Sequence, residues 1–333
     1  MQDFDVIVIG AGTAGSFAAK QLHTLGYTVM VLEKSRGAGG RCARRQVGED
    51  SVDIGCVSLD QHQLHTAQQS PRVAEQLQQW QQQGLLAAWT VNYGAGDEHH
   101  SVGVPQMNCL HKDLLNGIAI ATEQRVHRFE RSEHNHWLVE CLSGDVFRCK
   151  TLIVTAPPAQ ANDMSHAWPN AWLSVFDDAD ATIQAQWTIV VELPSDILLP
   201  HNGYHHHPVI EHAVLDSSKP QRDHTRQLWV VQASPAWTDR HLHLDKEHAG
   251  DLLCDAFCAM LDIPSESATL LNTHRWLFGR TDHQYTPDGC LWDSERQLAV
   301  CADWLNGGTV TGALMSAAAV VNHMTEQENT DVA

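Results

Sequence analysis

The first apolar runs of the chain alternate with a helical pattern. Residues 4–9 form a short β-branched run, typical of a strand buried on both faces, and residues 16–25 carry apolar positions on one helical face. A second apolar run, Tyr27–Leu32, ends at the acid Glu33. Two such strands joined through a helix predict a right-handed βαβ unit, which begins a doubly wound parallel sheet.

The pattern changes in the middle of the chain. Residues 64–84 are rich in Gln and predict an amphipathic surface helix. Strand-like runs at 185–192, 209–215 and 227–233 are then separated by loops rich in Pro, His and Asp, and a helix is predicted over 245–261. This pattern favours a second α+β domain with a mainly antiparallel sheet.

The first domain is predicted to be discontinuous. Runs at 137–141 and 146–149 flank a hairpin turn, 151–156 forms a buried strand, and a strand over 297–301 leads into a helix of small residues over 312–321. We therefore expect an α/β fold with a Rossmann-like doubly wound domain. The expected boundaries are 1–62, 100–160 and 266–327 for this domain, 63–99 and 161–265 for the second, substrate domain, and 328–333 for a tail.

Composition narrows the classes of partner. The 333 residues include 21 Lys and Arg against 40 Asp and Glu, a formal net charge of −19. So acidic a surface repels phosphate backbones and anionic lipids, and we expect neither nucleic acid nor membrane as a partner. No run reaches the about 20 apolar residues of a membrane span. The first residues lack a secretory pattern, and the nine Cys have no paired CxxC spacing, as expected of reduced thiols in a cytoplasmic protein.

The 22 His invite a metal hypothesis. The runs His99-His100 and His205-His206-His207 are the densest. Adjacent side chains point in different directions on any regular element, and no Cys or acid stands at a recognised ligand interval from these runs. We therefore expect no metal site.

A glycine motif carries the first specific chemistry. The sequence Gly10-Ala11-Gly12-Thr13-Ala14-Gly15 is GxGxxG, and it lies directly after a predicted strand and opens a predicted helix. The first Gly permits a tight turn, the second lets the backbone approach a pyrophosphate, and the third allows close helix–strand packing. Glu33 is then placed to accept hydrogen bonds from a ribose. The motif favours an ADP-containing dinucleotide over a purely structural turn, without separating FAD from NAD(P).

Two further segments favour FAD. A loop with Gly39-Gly40 lets Arg41 fold back over the pyrophosphate, where a guanidinium makes paired charge-assisted contacts. Near the other end of the chain, Asp303 follows a predicted strand and is placed to bind a ribityl or pyrophosphate hydroxyl. The helix that starts near Val310 can then face the flavin edge.

These motifs, together with others in order along the chain, resemble the bacterial renalase-like flavoproteins of the flavin-containing amine oxidase group. The segments that carry the resemblance are Gly10–Gly15, Glu33, Gly37–Arg41, Asp53–Gly55, Val102–Met107, Ala156-Pro157, Ala233–Trp237, His274–Trp276 and Ala302–Ala313. The resemblance implies a two-domain FAD protein that oxidises misreduced dihydronicotinamide dinucleotides. It implies hydride transfer to flavin N5, with O₂ as the acceptor and hydrogen peroxide as a product.

Carried over residue by residue, the resemblance implies a set of FAD contacts. Most lie in the glycine loop and the two segments that follow it. The implied residues are Gly10, Ala11, Gly12, Ala14, Gly15, Glu33, Lys34, Gly40, Arg41, Val126, Asp303 and Val310.

The substrate side departs from the family pattern. Where the family has Asp-x-Gly-Ala-Gln-Tyr-Phe, this chain has Val57 and Ser58 in place of Gln and Tyr, after Cys56. Gln232 stands where the family has His before Ala-Ser-Pro-x-Trp, and Thr309 and Thr311 replace an Arg and a Glu. An aromatic wall and titratable groups are thereby lost.

The catalytic residues therefore stay unassigned, with a few candidates for the pocket. These are Val57, Ser58, Gln232 and Trp304, the last chosen over Trp237 and Trp276 because it adjoins Asp303. Cys42 and Cys56 are expected near the cofactor as small core residues.

The sequence predicts an FAD-dependent oxidoreductase that takes a hydride from a small-molecule or dihydronicotinamide dinucleotide donor. Rearomatisation of a dihydropyridine drives hydride loss, so that chemistry needs no side-chain base. Two alternatives stay open: a flavin amine oxidase, and a protein that binds FAD but has lost turnover, which the changes at Val57, Ser58 and Gln232 favour. An enzyme that uses only nicotinamide is opposed by Arg41 and Asp303.

Overall fold

The computed structural model describes residues 3–331, with the side chains of residues 3–327. Its strands are β1 (Asp3–Ile9), β2 (Val29–Leu32), β3 (Arg44–Val47), β4 (Asp50–Asp53), β5 (Leu59–Asp60), β6 (Leu86–Asn92), β7 (Asp97–Gly103), β8 (Ala119–Ala121), β9 (Val126–Arg131), β10 (Trp137–Cys141), β11 (Val146–Val154), β12 (Gln184–Leu193), β13 (Gly203–His205), β14 (Ile210–Leu215), β15 (Gln227–Ala233), β16 (Thr269–Arg280), β17 (Cys290–Asp293) and β18 (Leu298–Cys301).

The helices connect and cover these strands. They are α1 (Thr13–Thr24), α2 (Gln61–Ala67), α3 (Pro71–Gln82), α4 (Cys109–Leu114), α5 (Pro158–Asp163), α6 (Asn170–Asp180), α7 (Pro235–Arg240), α8 (Lys246–Met260) and α9 (Val310–Asp331). Within the described part of the chain, no helix combines the length and apolar character that crossing a membrane requires.

The first sheet has a parallel centre, as the doubly wound prediction requires. Its order is β17-β18-β11-β1-β2-β8, with the hairpin of β9 and β10 attached beside β11. The strands β18, β11, β1, β2 and β8 run parallel, and β17 is antiparallel to β18. Gly10, Glu33, Thr155 and Ala302 directly follow four of these strands. They therefore lie at the carboxyl edge of the sheet, where open α/β sheets bind ligands.

The second sheet is antiparallel, with the order β13-β14-β15-β12-β16. Its two faces alternate along each strand. Val231 and Trp229 pack with Phe257 of α8, whereas Val230 belongs to the core shared with the first domain. The predicted α+β character of this region is confirmed.

Two segments differ from the expected boundaries. The first part of 266–327 forms β16, which pairs with β12 in the second sheet. It is an edge strand whose residues are mostly half-buried, so it lacks the continuous apolar run of a central strand. At the other end, α9 continues to Asp331 and thus includes most of the segment predicted as a tail, whose last residues, 332 and 333, lie outside the described ones.

The predicted helix over 64–84 is two helices, α2 and α3. Pro71 begins the second helix, where its missing N–H costs nothing, and the chain turns before it. Leu77 and Trp80 belong to the same core as Leu314 of α9, and Arg72 donates to Asn322 at 2.8 Å. These helices therefore pack against the first domain, although 63–99 was expected to belong to the substrate domain.

A buried ion cluster joins Asp53, at the end of β4, to the segment that follows β14 of the second sheet. Lys219 lies 3.0 Å from Asp53 and 2.5 Å from Asp216, and Arg222 lies 2.6 Å from Asp53. Burial raises the pKa of Asp53, while the positive charge of Lys219 opposes that rise. Removing one member of a buried cluster leaves an uncompensated charge, which costs about 3–5 kcal/mol.

Histidines from both His-rich runs meet at Tyr93. The Tyr93 ring meets the His205 ring edge-on, with 4.4 Å between the ring centres, and the His100 ring centre lies 6.5 Å away. The Tyr93 hydroxyl hydrogen-bonds to the Nε2 of His212. Glu98 lies 3.6 Å from the His100 ring nitrogen. Among residues 3–327, no group of three or more His, Cys, Asp or Glu side chains is arranged to hold a metal ion.

Candidate dinucleotide and substrate cleft

A large cleft lies at the carboxyl edge of the parallel sheet. Its volume is about 880 Å³, and it extends from the glycine loop to the second sheet. Ligand pockets typically measure about 300–1,000 Å³, so this cleft has room for an extended molecule.

The glycine loop uses its three glycines in different ways. Gly10 has a φ of +105°, and a Cβ at Gly15 would lie 2.0 Å from the Gly10 carbonyl oxygen. These two positions therefore exclude side chains for reasons of backbone geometry and packing. A Cβ at Gly12 would meet nothing within 4 Å, and Gly12 lines the cleft beside Ala14.

Glu33 is fixed at the end of β2 by backbone donors. The Ala11 N–H donates to one carboxylate oxygen at 2.8 Å, and the Ser35 N–H donates to the other at 2.7 Å. The buried carboxylate thereby holds the glycine loop and still lines the cleft. Lys34 lies at the rim, where its ammonium donates to Gln160 at 2.8 Å.

Arg41 and Asp303 meet over the middle of the cleft. They are separated by 262 positions in the sequence, yet the Arg41 guanidinium forms an ion pair with the Asp303 carboxylate. Arg41 also donates to the Phe278 carbonyl oxygen at 3.3 Å. The loop before Arg41 is held by Gly39, whose N–H donates to the Ala11 carbonyl at 2.9 Å. The two ends of the chain are thus joined at one site.

The remaining predicted contacts also line the cleft. Gly40 lies against Gly12 of the glycine loop, Val126 begins β9, and Val310 lies at the start of α9. Thr309 caps that helix by accepting a hydrogen bond from the Gly312 N–H at 2.9 Å. Of the predicted set, Ala11 and Gly15 lie behind the cleft wall, where they support the loop.

Ser58 and Gln232 are the pocket candidates that reach the cleft. Ser58 Oγ lies 3.2 Å from the Nδ1 of His100, whose pKa is lowered by burial. Gln232 donates to the Gly55 carbonyl oxygen at 2.6 Å and thereby fixes the turn that carries Cys56.

Two other pocket candidates lie elsewhere. Trp304 is buried in a core with Phe176, and its indole N–H donates to the Ala156 carbonyl at 3.1 Å; Val57 is also buried. Neither side chain lines the cleft. Trp276 provides the aromatic wall instead, anchored by a 3.2 Å bond from its indole N–H to the Ile54 carbonyl. The sequence showed the His274–Trp276 motif, but it could not show that Trp276 faces the cleft. That orientation depends on the pairing of β16 with β12, which is distant in sequence.

The sequence interpretation missed Arg275, which supports β16 from the face of the sheet opposite Trp276. Its guanidinium donates to the Leu242 carbonyl at 2.8 Å and lies 5.2 Å from the centre of the Trp187 ring. Its charge therefore points away from the cleft, and its contacts hold β16 in place beside the cleft.

His111 supports the glycine loop from behind. It is buried on α4, and its Nε2 lies 3.0 Å from Thr13 Oγ1 at the start of α1. Burial lowers the pKa of His111 to about 4. The ring is therefore neutral at pH 7 and adds no charge beside the loop.

Comparisons with known proteins agree with this geometry. Residues 8–80 match the family of NAD(P)-binding Rossmann-like domains. A 50-residue stretch is 46% identical to a zeta-carotene-forming phytoene desaturase from Myxococcus xanthus, covering 15% of this chain and 10% of that protein. The chain thus aligns with only a small part of that relative.

Solved structures resemble the whole chain in fold. A cyclohexylamine oxidase from Brevibacterium oxydans IH-35A superposes with a TM-score of 0.74 at 13% identity, covering 98% of this chain and 100% of that one. A putrescine oxidase mutant with redesigned cofactor binding gives a TM-score of 0.70 at 12% identity, covering 97% and 99%. At these identities the similarity establishes the shared fold.

Substitutions at Gly15 and Gly12 distinguish a glycine that packing requires from one that faces open space in the cleft. Gly15→Ala places a methyl group 2.0 Å from a carbonyl oxygen, and we expect it to lower the free energy of unfolding by about 3 kcal/mol. Gly12→Ala meets open space at a φ of −76°, so its unfolding free energy should stay within about 0.5 kcal/mol of wild type. Urea denaturation measures the free energy of unfolding of both variants. Equal losses would contradict the different roles assigned to the two glycines.

The buried His111 makes stability depend on pH. The unfolded chain binds a proton near pH 6.5, whereas folded His111 binds one only near pH 4. Stability should therefore fall as the pH drops through this window, by about 3 kcal/mol from this residue. His111→Gln should lose that part of the slope in urea unfolding series, and the exposed His62→Gln should retain it. Identical slopes for wild type and His111→Gln would contradict the assignment.

Proposed function

We propose that this protein is an FAD-dependent oxidoreductase of the renalase-like type, which oxidises dihydronicotinamide dinucleotide isomers with O₂ as the acceptor. The observation that carries the proposal is the meeting of Arg41, Asp303 and the glycine loop over one cleft. A protein that binds only a nicotinamide dinucleotide has no need of the second clamp from the far end of the chain.

The residues of the cleft fit FAD from end to end. Val126 and Glu33 fit the adenosine half, because Glu33 lies at the end of the second strand of the βαβ unit. Gly12 and the start of α1 offer open space and N–H groups to the pyrophosphate. The guanidinium of Arg41 has five N–H donors, so it can bind phosphate oxygens while it retains Asp303.

The chain's own residues position the reaction. Bound FAD supplies a hydride acceptor at flavin N5. The amino end of α9, capped by Thr309, directs its positive dipole into the cleft beside Val310. Gln232 fixes the Gly55 turn in the cleft wall, and Trp276 covers the wall with an apolar face that excludes water.

The residues of the cleft are compatible with a dihydronicotinamide donor. The donor needs no strong base, because it loses a hydride to become aromatic. The loss of the family's Tyr and His at Ser58 and Gln232 is compatible with such a donor.

A flavin amine oxidase is the second candidate. Its support is the fold shared with the cyclohexylamine and putrescine oxidases.

Anaerobic mixing of the holoprotein with each donor class tests the proposal. We expect the 2- and 6-dihydro isomers of NAD(P) to bleach the visible absorbance of the flavin rapidly, and cyclohexylamine and putrescine to leave it unchanged. If only the amines bleach the flavin, the protein is an amine oxidase and the dihydronicotinamide proposal is wrong. No bleaching by any donor indicates a protein that binds FAD without turnover.

Arg41→Ala tests the FAD clamp itself. Removing the guanidinium takes away its contacts with phosphate and leaves Asp303 unpaired in the cleft. We expect FAD affinity to fall about tenfold or more, measured by flavin retained after gel filtration and by titration of the apoprotein. Arg44→Ala, at an exposed site whose guanidinium contacts Gln46, is the control. Unchanged flavin occupancy in Arg41→Ala would count against the clamp.

A further inference from the structure

We propose that Cys42 and Cys56 form a redox-active dithiol in the wall of the cleft, which closes to a disulfide when it passes two electrons to the flavin. The proposal rests on the FAD-dependent function proposed above. It gives the protein a second electron donor, built from its own side chains.

Both cysteines line the cleft and their thiols touch. Cys42 ends the turn that carries Arg41, and Cys56 follows Gly55. The two thiols hydrogen-bond to each other, and the Cys56 thiol donates onward to the Ser58 carbonyl at 3.1 Å. Both residues therefore lie where a ligand in the cleft can reach them.

The backbone brings the pair together at the end of the β3–β4 hairpin. The pairing of Arg44 with Asp53 continues to a 2.8 Å hydrogen bond from the Cys56 N–H to the carbonyl of Arg41, the residue before Cys42. In a regular ladder, residues offset by one position point to opposite faces, but Cys42 ends a 3-10 turn over 40–42, where that alternation does not apply. Backbones paired in this way lie about 4.8 Å apart, and disulfides span about 4.4–6.8 Å between Cα atoms.

The two thiols differ in acidity, which assigns their order of reaction. The hydrogen bond from Cys42 and the positive charge of Lys219 lower the pKa of Cys56. The same bond and burial raise the pKa of Cys42. Cys56 is therefore the thiol that ionises first, and thiolates are the reactive form of cysteine.

The step balances in atoms and electrons. Two S–H bonds break and one S–S bond forms between Cys42 and Cys56. The two electrons and two protons pass to the oxidised flavin, and O₂ then removes them as hydrogen peroxide. Reduction of the disulfide by an external dithiol returns both thiols and completes a cycle.

Two other thiol pairs provide internal controls. Cys254 and Cys258 hydrogen-bond to each other on α8, and Cys290 lies opposite Cys301 across β17 and β18. These four thiols do not line the cleft. A flavin-dependent oxidation should therefore act on Cys42 and Cys56 and leave the other two pairs reduced.

Thiol counting in the wild-type protein tests the proposal. Reduced holoprotein, freed of reductant under argon, is divided into aerated and argon samples, and flavin-free protein is aerated in parallel. Each sample is denatured, alkylated with N-ethylmaleimide and weighed by mass spectrometry. The aerated holoprotein should lose two of its nine alkylated thiols, with the Cys42 and Cys56 peptides joined. The other samples should keep all nine.

An electron count gives a second readout. Aerated wild-type holoprotein should take up two electrons for the disulfide beyond the two that its flavin accepts in an anaerobic dithionite titration. Cys42→Ser should take up only the flavin's two, and Cys254→Ser should behave as wild type.

Three results would overturn the proposal. One is a full set of free thiols in aerated protein that retains flavin and is bleached by its donor, which leaves the FAD function intact. Another is equal oxidation of the control pairs. The third is the same disulfide in flavin-free protein. Protein that never retains flavin fails the proposed function as well, and the visible spectrum distinguishes that failure.

Discussion

The ion pair between Arg41 and Asp303 is the constraint on which the cleft depends. It joins residues 262 positions apart, and it can form only when β18 lies beside β11, so that the chain after Cys301 reaches the carboxyl edge of the sheet. The pair neutralises a carboxylate that is largely buried, and it holds the Arg41 guanidinium in the wall of the cleft. The order of the strands in the sheet therefore determines, through this ion pair, which charged groups line the cleft.

Local patterns predicted the parts of the structure that depend on neighbours in sequence. The apolar run 4–9 and the glycine motif specify a strand, a turn and a helix, because Gly10 and Gly15 meet short-range requirements, such as the φ of +105° at Gly10. The second sheet was likewise visible as strand-like runs, and β15 has the predicted bounds, 227–233. Glu33 lies at the end of β2 for the same reason.

Contacts between distant segments could not be predicted in this way. Trp276 and Trp304 both stand in sequence motifs. The pairing of β16 with β12 places Trp276 on the cleft, whereas packing against Phe176 leaves Trp304 in the core. The ion partners of Asp53 come from residues more than 160 positions away, and no periodicity in the sequence connects them. The division of the chain at residue 266 suffered because a half-buried edge strand has no distinctive pattern.

The buried cluster of Asp53, Asp216, Lys219 and Arg222 limits how the molecule can move. Separating β4 from the second sheet at this point would strip several charges of their partners in a medium that hydrates them poorly. Hinge-like parting of the two halves is therefore disfavoured, and a ligand must reach the cleft through its existing mouth. The mouth of the cleft then selects ligands by their size and charge before they reach the interior of the cleft.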